Sequence, residues 1–216
     1  MEGLIYKTQP YLENDRLLFL YTPQGKITLI AKGSQKMTSS ARVLGQYLTQ
    51  IEFKETPNRA MYSLVDGKIL NDYQMIKNDY DLAQYAAAML YMVDSCVADT
   101  DRHDEIYKDL IDTLHQFKPE MVLAFGFRLV KRLGFPMSLK PDGRVVKGFN
   151  IQLGSLVYQD EPYLVDLDLG LTTLLLKLIH LSYDTIDKIE NISFLKLKTC
   201  LIRYYEHHLD THLRHL

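Results

Sequence analysis

The chain has 216 residues, enough for one large or two small domains, and its 47% hydrophobic and 24% charged residues are typical of a soluble globular protein. It contains no apolar run as long as a membrane span and no signal-peptide pattern at its start, so we expect a cytoplasmic protein with no membrane partner. Its two cysteines, Cys96 and Cys200, lie far apart in helical patterns and form no CxxC motif, which excludes a zinc finger or ribbon and favours inert, buried thiols.

Positive charge is concentrated near the start of the chain. Residues 1–72 hold 9 Lys and Arg against 7 Asp and Glu, whereas residues 73–216 hold 16 against 20. The stretch from Arg16 to Ile51 holds five basic residues and no acidic one. Because a surface of one charge sign attracts polyanions, this stretch suits a nucleic acid, although the solvated face of an ordinary β-domain is an alternative interpretation.

The first 75 residues carry the pattern of β-strands. Strands are predicted over residues 3–8, 16–22, 26–32, 43–53 and 60–65, with turns at residues 22–25 and 57–58 and a polar loop at residues 33–41. Alternation within the third strand places Ile27, Leu29 and Ala31 on one face and Lys26 and Lys32 on the other. Five short strands in so few residues predict a small closed barrel.

Beyond residue 79 the hydrophobic period changes to that of α-helices. Helices are predicted over residues 82–96, 106–114, 119–133 and 172–181, and a last one begins after an N-cap at Ser193. Residues 135–166 are rich in Gly and Pro and predict short strands and turns. The chain is therefore predicted to be α+β, with a barrel domain over residues 1–75 and a helical domain over residues 76–216 that carries an irregular β insertion at about 136–166.

No sequence motif for catalysis is present. The chain has no GxSxG, P-loop, GxGxxG or HExxH pattern, so we do not expect an enzyme. Asp166 and Asp168 precede a predicted helix, where Asp is expected for local reasons, so we favour that interpretation over a catalytic pair. Near the end of the chain, His208, His212 and His215 would share one face of a continuous helix, but a surface terminus is favoured because no carboxylate or Cys completes a metal site.

A second basic group lies in the predicted helix 119–133. Arg128, Lys131 and Arg132 are three and four residues apart and therefore share a helical face. They are either a solvated outer face or a docking point for an acidic peptide, since arginine pairs well with carboxylates. The polar face of the last helix, with Lys196, Thr199 and Arg203, is the second candidate for such a docking point.

Several short segments, in this order and spacing, resemble the RecO family of bacterial recombination mediators and DNA-annealing proteins. They are ENDRLL at residues 13–18, Thr22 and Gly25 in a turn, AKG at residues 31–33 with the basic loop to Arg42, the Ala-rich helix over residues 82–97, FRL at residues 127–129, LGFP at residues 133–136 and YYEHHL at residues 204–209. The resemblance covers nearly the whole chain.

The resemblance implies an N-terminal OB-fold and a C-terminal helical domain. It implies binding to single- and double-stranded DNA, strand annealing, and loading of RecA with RecR on strands covered by single-strand binding protein (SSB), whose acidic C-terminal tail the helical domain would receive. It also implies association with the nucleoid. Many members carry a four-cysteine zinc module after the LGFP segment, but residues 138–162 contain no Cys here. We therefore expect no zinc, no other cofactor, and a small zinc-less β remnant held by its own apolar residues.

These observations lead to a site hypothesis. The residues expected to bind DNA are Arg16, Lys26, Lys32, Lys36 and Arg42, with Tyr21 as a stacking residue. Tyr11 is a further candidate for stacking, whereas Phe19 is assigned to the barrel core. The residues expected to bind a protein partner are Arg128, Lys131, Arg132 and Arg203. Two alternatives remain open, a protein-only adaptor and an RNA-binding OB-fold protein.

Overall fold

The computed structural model describes residues 1–58, 61–213 and 216, which form two compact units. The first unit comprises Met1–Asp79 and Arg102–Asp109, and the second comprises Tyr80–Asp101 and Leu110–Leu216. The sequence-based boundary near residue 75 left the segment Arg102–Asp109 in the helical half, whereas the structure groups this segment with the strands.

The first unit is a closed five-stranded barrel. Its strands are β1 (Glu2–Tyr11), β2 (Asp15–Thr22), β3 (Gly25–Ala31), β4 (Thr49–Asn58) and β5 (Met61–Asn71). They are arranged in the order β1-β2-β3-β5-β4, and β4 pairs back onto β1. The β3–β5 pair is parallel and the other pairs are antiparallel. This arrangement confirms the predicted OB-like barrel.

Alternate residues of the strands fill the barrel. The core consists of residues that are at most 1% exposed: Ile5, Leu18, Leu20, Leu29, Ala31, Ile51 and Phe53. Because successive side chains of a strand point to opposite faces, Lys26 and Phe19 take the outer face. The alternation predicted for β3 is thus confirmed, but the assignment of Phe19 to the core is wrong, since Leu18 and Leu20 on either side of it occupy the interior.

Two predicted boundaries in the barrel are also wrong. Residues predicted as the start of the fourth strand form a short helix, α1 (Ser40–Leu44), and β4 begins only at Thr49. Leu44 packs against the barrel core from this helix, so its apolar character reflects burial and not a strand. The predicted turn at residues 57–58 lies inside β4, where Pro57 pairs with Tyr62. Ala60, the predicted start of the fifth strand, lies outside the described residues.

The helices of the second half follow the predicted order. They are α2 (Gln74–Lys77), α3 (Tyr80–Cys96), α4 (His103–His115), α5 (Pro119–Arg132), α6 (Leu169–His180) and α7 (Asn191–Leu209). Pro119 occupies the first turn of α5, as predicted, because its missing N–H has no partner there in any case. The final helix starts at Asn191 after Glu190, so the predicted N-cap at Ser193 is wrong.

The predicted β insertion is a three-stranded sheet in the second unit. Its strands are β6 (Val146–Asn150), β7 (Ser155–Tyr158) and β8 (Leu167–Asp168), in the order β7-β6-β8. The Asp168 side chain then accepts a hydrogen bond of 2.9 Å from the Leu171 amide and caps α6. This confirms the local interpretation of Asp168.

Helix α5 is the buried centre of the second unit. Every residue from Glu120 to Phe127 is buried, and a Cβ atom added to Gly126 would lie 2.7 Å from the Leu201 side chain of α7. The fully buried Tyr205 donates a hydrogen bond of 3.0 Å from its hydroxyl to the Gly126 carbonyl. Glycine at this position therefore lets α5 and α7 approach closely.

The two cysteines are free, and Cys200 is buried. Burial raises the pKa of the Cys200 thiol to about 12, which makes it a poor nucleophile near neutral pH. Among the described residues, no helix is long and apolar enough to cross a membrane.

Candidate nucleic-acid interface

Two of the predicted DNA-binding residues, Arg16 and Lys26, lie at opposite ends of the β2–β3 hairpin. Arg16 pairs with Ala31, next to Lys32, at the open end of the hairpin, whereas Lys26 pairs with Tyr21 at its turn. At roughly 3.4 Å per residue, the five steps along the strand from Arg16 to Tyr21 span about 17 Å. The structure therefore groups Arg16 with Lys32 and leaves Lys26 at the other end of the hairpin.

The segment over residues 32–44, here called the basic loop, is hydrogen-bonded to the β1–β2 turn. The Gly33 amide donates a hydrogen bond of 2.8 Å to the Asp15 carboxylate. The Gln35 amide donates one of 2.9 Å to the Asn14 carbonyl, and its side chain donates one of 2.7 Å to the Asp15 carbonyl. These bonds fix the start of the basic loop at the end of the barrel where Arg16 lies.

Four cations gather at this end of the barrel. The basic end, as we call it, consists of Arg16, Lys32, Lys36 and Arg42. Lys32 and Lys36 are exposed, and Arg16 and Arg42 are half-buried. In the part of the chain that the structure describes, none of the four forms an ion pair, and the Arg42 guanidinium contacts the Sδ atom of Met37. The β1–β2 turn brings the carboxylates of Glu13 and Asp15 to this end, against four positive charges, so the basic end keeps a surplus of positive charge.

Tyr21 does not belong to this surface. Its side chain is fully buried, and its hydroxyl shares a hydrogen bond of 3.1 Å with Nδ1 of His103. The rings of His103 and Tyr107 lie 5.7 and 6.2 Å from the Tyr21 ring. The prediction that Tyr21 stacks on a base is therefore wrong, because the segment Arg102–Asp109 covers this outer face of the barrel.

Other aromatic side chains are better placed to meet a base. Tyr62 of β5 is 46% exposed and lies just after the β4–β5 connection. Phe19 is half-buried on the outer face of β2, and the Lys7 ammonium lies 5.1 Å from its ring centroid. The β2–β3 face and the β4–β5 connection are where OB-folds bind oligonucleotides. Sequence reasoning missed Tyr62, although its position at the start of the fifth strand was the available signal.

Arg128 has a role within the second unit. Its Nε atom donates a hydrogen bond of 3.0 Å to the Leu178 carbonyl, and a terminal nitrogen donates a second to the Leu181 carbonyl. The guanidinium also lies 4.0 Å from the centroid of the Tyr183 ring. Arg128 thus binds the C-terminal end of α6, which corrects its assignment as a free docking cation.

The other predicted partner residues lie at two grooves of the second unit. Lys131 lines an α5–α6 groove of about 470 Å³, with Lys140 and His180 and the apolar side chains Phe127, Pro136, Met137, Leu139 and Ile179. Arg203 lines an α7 groove of about 460 Å³ with Lys196 and Thr199. The Arg203 guanidinium forms an ion pair of 2.8 Å with Asp166, which also lines that groove. Arg132 is half-buried and does not line either groove.

Comparisons with known proteins divide the chain after the barrel. A family model described as "Recombination protein O N terminal" matches residues 1–73, and one described as "Recombination protein O C terminal" matches residues 77–216. The chain belongs to the RecO family. The match to the N-terminal family model ends at residue 73, shortly after the last barrel strand, β5, ends at Asn71.

Curated relatives of this RecO-family chain carry the name "DNA repair protein RecO". The one from Clostridium perfringens strain 13 is 31% identical over 140 residues, 62% of this chain and 57% of the relative. The one from Clostridium acetobutylicum is 24% identical over 155 residues, 68% of this chain and 63% of the relative. The one from Halalkalibacterium halodurans is 22% identical over 230 residues, 99% of this chain and 91% of the relative. The chain thus spans less than two thirds of the first two relatives.

His208 and His212 of this RecO-family chain do not share a helical face. Helix α7 ends at Leu209, and Asp210 has a positive φ of 50°. His208 shares a hydrogen bond of 2.7 Å with the Ile151 carbonyl, His212 lies 2.6 Å from the Glu206 carboxylate, and His215 lies outside the described residues. Within the described residues, no group of three or more His, Cys, Asp or Glu side chains is arranged to hold a metal ion. The expected absence of zinc stays a prediction.

Proposed function

We propose that this RecO-family chain is a DNA repair and recombination mediator that binds single- and double-stranded DNA at the basic end of its barrel. The observation that carries the proposal is the grouping of Arg16, Lys32, Lys36 and Arg42, without ion-pair partners in the described part of the chain, at one end of an OB-like barrel. The name of its relatives, "DNA repair protein RecO", supports the same role.

Binding would depend on phosphate charge. Lysine and arginine that neutralise phosphates release condensed counterions, which gives affinity with little sequence preference. The exposed ring of Tyr62 would add stacking on a base, a contribution of about 1–3 kcal/mol per base. Two strands held on one cationic surface repel each other less, so the same surface would promote annealing, and no catalytic step is required.

The second unit would receive protein partners. An acidic, partly apolar peptide such as the SSB tail needs a cation beside an apolar groove. The α5–α6 groove offers Lys131, Lys140 and His180 around apolar walls. The α7 groove is less suitable because Asp166 and Asp168 line it and would repel carboxylates. We therefore place the SSB tail in the α5–α6 groove, and we propose that the chain acts with RecR to load RecA on strands covered by SSB.

The test is the salt dependence of binding to a fluorescent single-stranded oligonucleotide. The wild-type chain should lose affinity steeply as salt rises, and the variant Lys32→Ala/Lys36→Ala should reduce the slope of log K against log salt by at most about 1.4, the value for two single-strand phosphates. The matched control Lys177→Ala/Lys188→Ala removes two exposed lysines of the second unit and should leave the slope unchanged.

Three results would contradict the proposal. A folded Lys32→Ala/Lys36→Ala variant with an unchanged slope would remove the basic loop from the interface. A wild-type chain that binds no nucleic acid would favour the protein-only adaptor. Tighter binding to RNA than to DNA of the same sequence would favour the RNA-binding alternative.

A further inference from the structure

The turn between β1 and β2 holds a leucine in an unfavourable backbone conformation. Leu12 has a φ of +51°, in the left-handed region that bulky residues other than glycine seldom adopt. This backbone conformation is energetically unfavourable for leucine. Its side chain is 75% exposed, so burial does not offset this cost.

The other described residues with this conformation have local reasons for it. Leu48 and Tyr73 also have positive φ values, but both side chains are buried. Asp210 is polar and ends α7, where a left-handed residue is common. Among the described non-glycine residues, only Leu12 combines a positive φ with a large apolar side chain in solvent.

A second exposed apolar side chain lies on the neighbouring loop. Met37 of the basic loop is 82% exposed, and its Sδ atom contacts the Arg42 guanidinium. Leu12 and Met37 are each two residues from the hydrogen bond between the Gln35 amide and the Asn14 carbonyl. With 3.8 Å between consecutive Cα atoms, the Cα atoms of Leu12 and Met37 are at most about 20 Å apart. A separation of about 20 Å corresponds to about six base steps of a strand, which is within the roughly 4–16 nucleotides that one OB-fold contacts.

We propose that Leu12 and Met37 form an apolar contact for DNA bases beside the basic end. The inference rests on the proposed DNA binding. Lys32 and Lys36 would hold phosphates, and the two apolar side chains would reach the bases, as Leu and Met do where they insert between base steps in other proteins. The exposed Glu13 beside Leu12 would repel a phosphate at the turn, which supports assigning the phosphates to the two lysines.

This arrangement gives the surface a preference for single strands. Bases of a single strand are accessible to Leu12 and Met37, whereas the base steps of a duplex must first be unstacked, which is unfavourable. Phosphate contacts by themselves would favour the duplex, which carries more charge per unit length. The apolar pair therefore determines which form of DNA is preferred.

The test is the variant Leu12→Asn/Met37→Gln. Asparagine accepts the left-handed region more readily than leucine, so the β1–β2 turn should fold at least as well. Affinity should be measured for a single-stranded oligonucleotide and for an abasic strand of equal length, which keeps the phosphates and lacks the bases. The variant should bind the ordinary strand roughly fivefold more weakly, bind the abasic strand as the wild type does, and keep the wild-type salt slope. The control Met75→Gln, at an 86% exposed residue of α2, should change neither affinity.

Two results would overturn the inference. Equal losses on the ordinary and abasic strands would show that the two residues do not act through bases, and no loss on either strand would show that they make no contact. Failure of the proposed function itself looks different, since the wild-type chain would then show no salt-dependent binding to either strand.

Discussion

A substitution of Arg128 would test whether this side chain stabilises the second unit or binds a protein partner. We expect Arg128→Met, which keeps an unbranched stem and removes the guanidinium, to destabilise the second unit. It removes the hydrogen bonds to the Leu178 and Leu181 carbonyls and the contact with the Tyr183 ring. A hydrogen bond to a charged group contributes about 1.5–3 kcal/mol, and a partly exposed cation–π contact about 0.5–1 kcal/mol.

The expected loss of stability is smaller than the sum of these contributions. Leu181 is exposed, so water replaces the guanidinium at its carbonyl, and we expect a total of about 2–3 kcal/mol. In a unit of this size each kcal/mol lowers Tm by about 2–4 °C, which gives a decrease of roughly 4–12 °C. Thermal and urea unfolding, followed by circular dichroism, would measure it.

Lys131→Met is the matched comparison, because Lys131 is exposed on the same helix and lines the α5–α6 groove. We expect its Tm to stay near the wild-type value, as for most surface substitutions. Its affinity for a peptide carrying the acidic tail of SSB should fall about tenfold, whereas that of Arg128→Met should stay within about threefold of the wild type. Isothermal titration calorimetry would measure both affinities.

The opposite pattern would refute this reasoning. If Arg128→Met keeps the wild-type Tm and loses the peptide, Arg128 contacts the partner directly and its bonds to α6 contribute little. If neither variant alters peptide binding, the α5–α6 groove is not the site, and Arg203 of the α7 groove should be tested next.

Two further predictions follow from buried groups. Tyr21→Phe should destabilise the barrel by about 1 kcal/mol, because it removes the hydrogen bond to His103. Since Tyr21 is buried, a DNA titration of this variant should give the wild-type affinity. Weakened DNA binding by a folded variant would contradict this assignment. Burial raises the pKa of both Cys200 and Tyr204 to about 12, so the native chain keeps protons that the unfolded chain releases near pH 9–10. The contribution of these two protonated groups to the free energy of unfolding is complete below about pH 9 and is lost as the pH rises towards 12. The urea midpoint should therefore fall over that range. A constant midpoint would contradict this explanation.

The sequence by itself determined the class of fold, because local patterns report which face of an element is buried. The alternation of Ile27, Leu29 and Ala31 predicted the inner face of β3, and the pattern after residue 79 predicted the helices in the right order. The concentration of positive charge in the first 51 residues also directed attention to the barrel. Boundaries were less reliable, as at α1, because an apolar residue such as Leu44 can meet the core from a helix or from a strand.

Only the tertiary structure decided which side chains meet. Tyr21 has the pattern of an exposed strand residue, but His103, 82 residues further along the chain, covers it. Arg128 has the pattern of a solvated helix face, but carbonyl groups 50 and 53 residues away bind it. Lys32 follows the end of β3 and lies beside Arg16, which the register of the hairpin brings from β2, whereas Lys26 lies at the turn. The physical reason is that periodicity records whether a position is buried, whereas hydrogen bonds and charge clusters depend on partners that chain folding brings from distant segments.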